Sequence, residues 1–407
     1  MTSQAFWRDF FGQVVAVVHP AVCLPKFLPD PKHYSSIKVV AAGKAAAAMA
    51  ETLELAWPDQ ELTGIAVCPY GHERPCRKIE VMTAAHPVPD ENSVVAAERA
   101  LAIAAATKPG ELLLALLSGG GSSLLCAPVE GLPLADKQQL TRDLLASGAS
   151  ISEVNLIRGY YSRIKAGKLL AQVNELSEVI TLAISDVVGD EPRFIASGPT
   201  VPTADSANEV ESLLAKYKVL PPTVLTTATC QHYAASEYKI VANAGHAFAV
   251  AERQLAALGY RVHNLGVAIE GEARDVAFEH AVYIQEKVVK NPNMKLAFLS
   301  GGELTVTLQG QGKGGPNQEY LLAIMAELSA GKYAGFAADT DGHDGVGGAA
   351  GAFFNGRQHL RAEREQVYIE YLENNDSYSF FNRIGGLFKV SPTFTNVNDI
   401  RVILYDT

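Results

Sequence analysis

LLLALLSGGGSSLL, residues 112–125, carries an apolar strand directly into three glycines flanked by serines. Without side chains, Gly119, Gly120 and Gly121 can take φ > 0 and turn several backbone N–H donors toward one anion, while Ser118, Ser122 and Ser123 add hydroxyls. A tight strand-to-helix connection would use the same residues. No lysine follows the last glycine, which excludes a Walker A loop. Any lysine that meets a phosphate here must come from another part of the chain.

Working outward from that strand, apolar runs alternate with helical patterns. Residues 37–42 lead into an Ala-rich helix at 45–55; 64–67 and 79–84 read as short strands, 92–107 as a helix, and 136–146 and 152–161 as two more helices. Residues 179–185 form a continuous apolar strand suited to the middle of a parallel sheet. After a Ser/Pro/Thr/Asp-rich stretch a second series begins: strand 238–242, helix 246–258, strand 261–265, helix 272–290 and strand 296–300. A short strand at 304–308, a helix at 318–330, a strand near 336–338, helical segments after residue 362 and a final strand at 401–405 complete it. The alternation predicts an α/β protein of two α/β domains, residues 1–235 with a Rossmann-like parallel sheet and residues 236–407 as a second α/β domain.

The composition suits a folded chain of two domains: 407 residues, 48% hydrophobic and 19% charged. A net charge of −10 argues against nucleic acid or an anionic membrane as the main partner, because both attract basic surfaces. The start MTSQAFWRDFFGQVV has no basic stretch followed by an apolar one, so a cytoplasmic location is expected. The five cysteines, Cys23, Cys68, Cys76, Cys126 and Cys230, are scattered without a C-x-x-C pair, which suits reduced thiols. Cys68, His72, Cys76 and His86 match no common zinc spacing.

In doubly wound sheets ligands collect beyond the carboxyl ends of strands, so the residues after each strand are the chemical candidates. Lys44 follows strand 37–42 at the start of a helix, where a cation opposes the helix dipole unless an anion binds there. Asp186 and Asp190 follow strand 179–185 and suit either Mg²⁺ or the proton of a hydroxyl nucleophile; pairing with Arg193 would also explain them. Gly301, Gly302 and Glu303 form a second glycine turn after strand 296–300, and GKGGPNQE brings Asn317, Gln318 and Glu319 to a helix start. DTDGHDG at 339–345 looks like a Ca²⁺ loop but follows a strand and lacks the EF-hand glutamate. Asn396 and Asn398 in TNVND precede the last strand. Arg158, Arg163, Lys165 and Lys168 cluster in VNLIRGYYSRIKAGKLL, either as a solvated face or as charge for an anionic ligand.

These segments, in this order, resemble the class II glycerate 2-kinases, whose C-terminal half is the MOFRL domain. The resemblance rests on AAGKAA, AAHPVPDENS, LSGGGSSLL, ISEVNLIRGYYSRIKAGKLL, SDVVGDEPRFIASGPTVPT, LSGGELTVTL, GKGGPNQE, DTDGHDG and TNVNDIRV and spans nearly the whole chain. It implies transfer of the ATP γ-phosphoryl group to the 2-hydroxyl of D-glycerate, with Mg²⁺, in a ligand cleft between the two domains. It places the family's essential lysine at Lys44 and its essential aspartate at Asp186. The expected ATP contacts are Ser118, Gly119, Gly120, Gly121, Ser122, Ser123, Gly301, Gly302, Glu303, Asn317 and Asn396. Asp186 and Asp190 are the expected Mg²⁺ ligands. Two departures stand out: Pro316 where the family pattern has a catalytic arginine, and Gly159-Tyr160 where it has Lys-His. Arg158 is therefore the preferred substitute cation, ahead of Lys165 and Lys313. D-glycerate and ATP are the expected partners, with a homodimer left open.

Two other functions remain. A hydroxypyruvate or tartronate-semialdehyde reductase would need a dinucleotide site, yet VVAAGKAAAAM holds one glycine in place of G-x-G-x-x-G. A non-catalytic anion-binding protein would account for the loss at Pro316.

Overall fold

The computed structural model describes residues 2–203, 207–222, 233–365 and 368–406; Cys230 lies outside them. The chain divides into two compact units, Pro20–Ala242 and Met1–His19 with Asn243–Thr407. Each is built on a six-stranded sheet.

In the unit Pro20–Ala242 the strands are β1 (Ile37–Ala42), β2 (Leu62–Pro69), β3 (Ile79–Ala84), β4 (Leu112–Leu117), β5 (Glu178–Ile184) and β6 (Ala235–Ala242). They lie in the order β3-β2-β1-β4-β5-β6 with every pairing parallel. β4 is buried along its whole length, as its unbroken leucine-rich run requires of a strand covered on both faces. The helix Glu91–Ala105 places Ala96, Ala97, Ala100 and Ala104 at helical spacing in one core with Val40, Ile65, Leu113 and Leu117. Its start is fixed by a capping box between Asp90 and Ser93, legible in PDENS. The strand order reverses between β1 and β4, which opens a crevice at the carboxyl ends of these two strands.

The other unit contains β7 (Arg261–Gly266), β8 (Gly271–Glu272), β9 (Leu296–Gly302), β10 (Leu304–Thr305), β11 (Tyr333–Asp339), β12 (Gly351–Phe354), β13 (Leu387–Phe388) and β14 (Asp399–Tyr405). Its main sheet runs β13-β12-β11-β14-β9-β7. Only β7 and β9 are parallel there; β14 lies antiparallel between β9 and β11. Alternation along the chain correctly indicates the α/β class, but the last strand adopts the central place because all seven of its residues are buried.

The helix Gln4–Val18 belongs to this second unit. It buries Trp7, Phe10, Phe11, Val14, Val15 and Val18, the i, i+3, i+4, i+7 set of one helical face. Trp7 stacks on Phe336 of β11 at 5.0 Å, and Phe11 meets Phe388 of β13 edge-on at 5.2 Å. The division between units falls at Ala242/Asn243 and leaves the first helix with the C-terminal half, whereas the sequence pointed to a single cut at 235/236. No single described helix is long and apolar enough to cross a membrane.

Because Trp7 is fully buried, Trp7→Ala should destabilise the unit containing Asn243–Thr407 by about 3–5 kcal/mol. Urea unfolding followed by circular dichroism would show a lowered midpoint. An unchanged midpoint would mean that the helix adds nothing to that core.

Candidate active site

At the β1–β4 crevice the two strand ends are tied together. Gly43 has φ +131°, and a Cβ there would lie 2.1 Å from Ser118 Oγ, so only glycine allows the approach. Ser118 N donates to Ala42 O at 3.0 Å, Lys44 N to Gly119 O at 2.8 Å and Ala45 N to Ser118 Oγ at 3.0 Å. Ser118 is fully buried. Expected among the ATP contacts, it joins the two loops. Gly119 is the residue to which Lys44 is tied, and Gly121 is held against Ala196, whose Cβ lies 2.7 Å from where a Gly121 Cβ would be.

Gly120, at φ +81°, is the open point of the loop. Its vacant Cβ position is 3.5 Å from Lys44 Cγ and 3.3 Å from two atoms of the His86 ring. The lysine expected from elsewhere in the chain thus reaches the glycine loop. His86 Nδ1 is 2.8 Å from Ser123 Oγ, and Ser123 donates to Gly120 O at 3.0 Å. With its one hydroxyl proton on that carbonyl, Ser123 accepts from Nδ1–H of His86. Sequence reading considered His86 only as a metal ligand. Its place just after β3 is the signal that would have marked it.

Ser122 is the polar centre of the loop. Its Oγ accepts from Arg158 Nη2 at 2.7 Å and from Lys165 Nζ at 2.9 Å, and lies 2.8 Å from Ser197 Oγ. Lys165 also donates to Ser122 O and to Leu125 O. The basic run therefore divides: Arg158 and Lys165 turn to the loop, while Arg163 pairs with Glu98 and Lys168 donates to the carbonyls of Gly159 and Tyr160. Ser197 sits between Ala196 and Gly198, and all three have positive φ. A cavity of about 640 Å³ opens here, lined in part by Asn155, Ala166, Phe194 and Ser197.

Asp186 is half-buried two residues beyond β5, at the same carboxyl edge as Lys44 and the glycine loop. Asp190 follows in a short turn with Gly189, both at positive φ. Among the described residues no three His, Cys, Asp or Glu side chains gather as a metal cluster. Cys68 and Cys76 donate to the carbonyls of Met82 and Ala47, and burial pushes both thiols up to about 12.

In the second unit one expected ligand residue, Asn317, belongs to a buried polar network. Gly301 and Gly302 lie inside β9 and not in a turn after it: a Cβ on Gly301 would be 2.6 Å from the Phe248 ring, and one on Gly302 2.2 Å from the Ile269 backbone. Glu303 is exposed next to them. Asn317 is turned inward, its Nδ2 donating to Asp399 at 2.6 Å, while the backbone N–H groups of Asn317 and Gln318 each donate to Asp344 at 3.0 Å. Asp344 thereby caps the helix Pro316–Glu327, and Pro316 occupies the first turn, where a missing N–H costs nothing. Burial raises the carboxyls of Asp344 and Asp399 above the usual range, against the pull of these hydrogen bonds and of Arg401. Arg401 is fully buried, donates to Asp399 at 2.8 Å and to Gly301 O, and lies over the Tyr320 ring at 5.5 Å. Glu319 pairs with Arg274 at 2.6 Å. Asn396 accepts from Asn398 N at 3.1 Å in a local turn, and Lys313 is exposed.

Residues 6–229 match a family model described as a domain of unknown function, DUF4147, and residues 296–399 match the MOFRL family. A protein of Agrobacterium vitis named putative hydroxypyruvate reductase is 41% identical over 379 residues, which is 90% of this chain and 98% of that one. The D-glycerate 2-kinase of Thermotoga maritima is 34% identical over 398 residues, covering 95% of this chain and 94% of its own. The crystal structure of a glycerate kinase from Thermotoga maritima matches with a TM-score of 0.87 at 32% identity, over 99% of both chains. With both family models in order and a kinase alike along its whole length, the chain belongs to the class II glycerate 2-kinase family.

Proposed function

We propose that this chain is an ATP-dependent glycerate 2-kinase that forms 2-phosphoglycerate from D-glycerate in the cytoplasm. The observation that carries this reading is Lys44 against Gly120: a cation and a left-handed glycine at the point where the parallel sheet reverses. The loop backbone around Gly119–Gly121 receives ATP phosphate oxygens. Lys44 neutralises charge on the transferred group, and Arg158 supplies the fork that Pro316 cannot. The 2-hydroxyl oxygen of glycerate attacks Pγ, the bond from Pγ to the β–γ bridging oxygen breaks, ADP leaves, and the hydroxyl proton passes to the Asp186 carboxylate. In the alternative role Asp186, with Asp190, would hold Mg²⁺, which when bound would spread the phosphates' negative charge. This division of labour suits phosphoryl transfer, where positioning and charge neutralisation outweigh covalent chemistry.

The printed name of the Agrobacterium relative favours a second reading, hydroxypyruvate reduction. Ala45 stands where a G-x-G-x-x-G fingerprint begun at Gly43 needs its second glycine, which speaks against it. Incubation with D-glycerate and Mg·ATP, and separately with hydroxypyruvate and NADH, decides between them. ADP formation in the first is the expected result; loss of NADH absorbance in the second without ADP in the first would reverse the reading.

Lys44→Ala should lower kcat about 100-fold or more with the fold intact, since the charge it balances develops in the transition state. Near-normal turnover would remove Lys44 from the mechanism. Gly120→Val should weaken nucleotide binding, because a β-branched residue disfavours φ +81° and meets His86 and Lys44; calorimetry with unchanged affinity would make the loop purely structural. Enolase alone, without phosphoglycerate mutase, should consume the product if the 2-hydroxyl is the acceptor.

A further inference from the structure

Three cations stand behind Ser122 without a carboxylate partner among the described residues. Lys165 is 2% exposed and donates only to oxygens of Ser122 and Leu125. Lys137, from the helix Leu134–Ala146, is 3% exposed and donates to the carbonyls of Arg158 at 3.1 Å and Tyr161 at 2.7 Å. Arg158 donates to Asn155 Oδ1 and Ser122 Oγ. Every acceptor is neutral. Buried charges are ordinarily paired with opposite charge, because carbonyl and hydroxyl dipoles replace only part of the lost hydration. Lys137 does meet the C-terminal end of the helix Ile151–Tyr160, a partial negative charge. Lys165 has no such balance for its position beside the Arg158 guanidinium.

We propose that Ser122, Arg158 and Lys165, backed by Lys137, form an oxyanion subsite whose missing countercharge is supplied by the ligand, so that anion binding draws protons into the protein. It rests on the kinase reading only for the source of the oxyanion, the glycerate carboxylate or a nucleotide phosphate. Geometry supplies the contact: the Arg158 fork has donors beyond those given to Asn155 and Ser122, and carboxylate and phosphate both fit such a fork. The cavity that Asn155 and Ser197 share has room for the rest of a ligand; its charged lining residues are Glu153, Glu191, Glu209 and Arg193, so the countercharge of an anion has to come from Arg158 and Lys165.

The charges explain the proton. Burial holds Lys165 well below the ordinary lysine range, with Arg158 and Lys137 repelling it in the same sense and the Cys126 thiol opposing. Burial likewise brings Lys137 down to about 7, aided by Arg158 and Lys168. Without an anion, burial and mutual repulsion thus disfavour the charged form of both ammonium groups. An anion at Ser122 favours the charged form of both, most strongly of Lys165, and the complex binds more protons than the free protein.

Isothermal titration of the full chain at about pH 8, repeated in buffers of different ionisation enthalpy, reads this directly. The titrants are D-glycerate, metal-free ADP and inorganic sulfate; the glycerate carboxylate carries no titrating proton of its own at that pH. The expected result is a binding heat that rises with buffer ionisation enthalpy, with a slope of roughly 0.3 to 1 proton per anion. A slope with glycerate assigns the subsite to the carboxylate, and one with ADP but not glycerate assigns it to phosphate. Lys165→Met should remove most of the slope, and Lys137→Met a smaller part. If Lys165→Met fails to fold, the wild-type slope still decides. Zero slope with all three anions overturns the inference. Turnover of glycerate by ATP without any slope overturns it while sparing the kinase reading; a slope without turnover does the reverse.

Discussion

The close approach of the β1 and β4 ends is the constraint on which the site depends. A side chain at Gly43 would collide with Ser118, and three hydrogen bonds hold the two turns in register. The parallel pairing of Ala42 with Leu117 brings these turns level. Without that pairing Lys44 would have no reason to stand beside Gly120. Lys44 is thus carried to Gly120 by the sheet's central register. Such rigidity suits phosphoryl transfer, where misplacement of a charge by about 1 Å weakens its effect sharply.

Charge is distributed against the overall balance. The chain carries a net −10, yet the environment of Ser122 collects Arg158, Lys165 and Lys137. Elsewhere arginines are matched: the fully buried Arg401 by Asp399, and the half-buried Arg274 by the buried Glu319. The contrast distinguishes the two units. In Asn243–Thr407 buried charge is closed on itself and braces the β9–β14 pair and the helix Pro316–Glu327. Around Ser122 it is left open to a ligand.

Much of this was legible in the sequence, and the parts that were not share a cause. β1 and β4 were placed to the residue because their apolar runs are uninterrupted and end in glycine or serine. That Lys44, Gly120 and Asp186 lie at the carboxyl edge of the parallel sheet is readable from strand ends alone. The partners of Ser118 and Asn317 were not legible, because a polar side chain after a strand or at a helix start looks the same whether it faces a ligand or the neighbouring backbone. Only the partner decides, and Ala45, Asp344 and Asp399 are set by register and by long-range folding. The central antiparallel place of β14 was hidden for the same reason. The N-terminal helix carried its signal openly, in Trp7, Phe10, Phe11 and Val14, but not its destination.

That destination bears on how the chain is made. The first nineteen residues leave the ribosome well before Phe336 and Phe388, the rings that Trp7 and Phe11 meet, have been synthesised. Throughout translation of Pro20–Ala242, which can build its parallel sheet from its own strands, an aromatic helix has to wait without its counterpart. Completion of the second unit is therefore tied to both chain ends, and a fragment starting at Asn243 would display an uncovered aromatic surface.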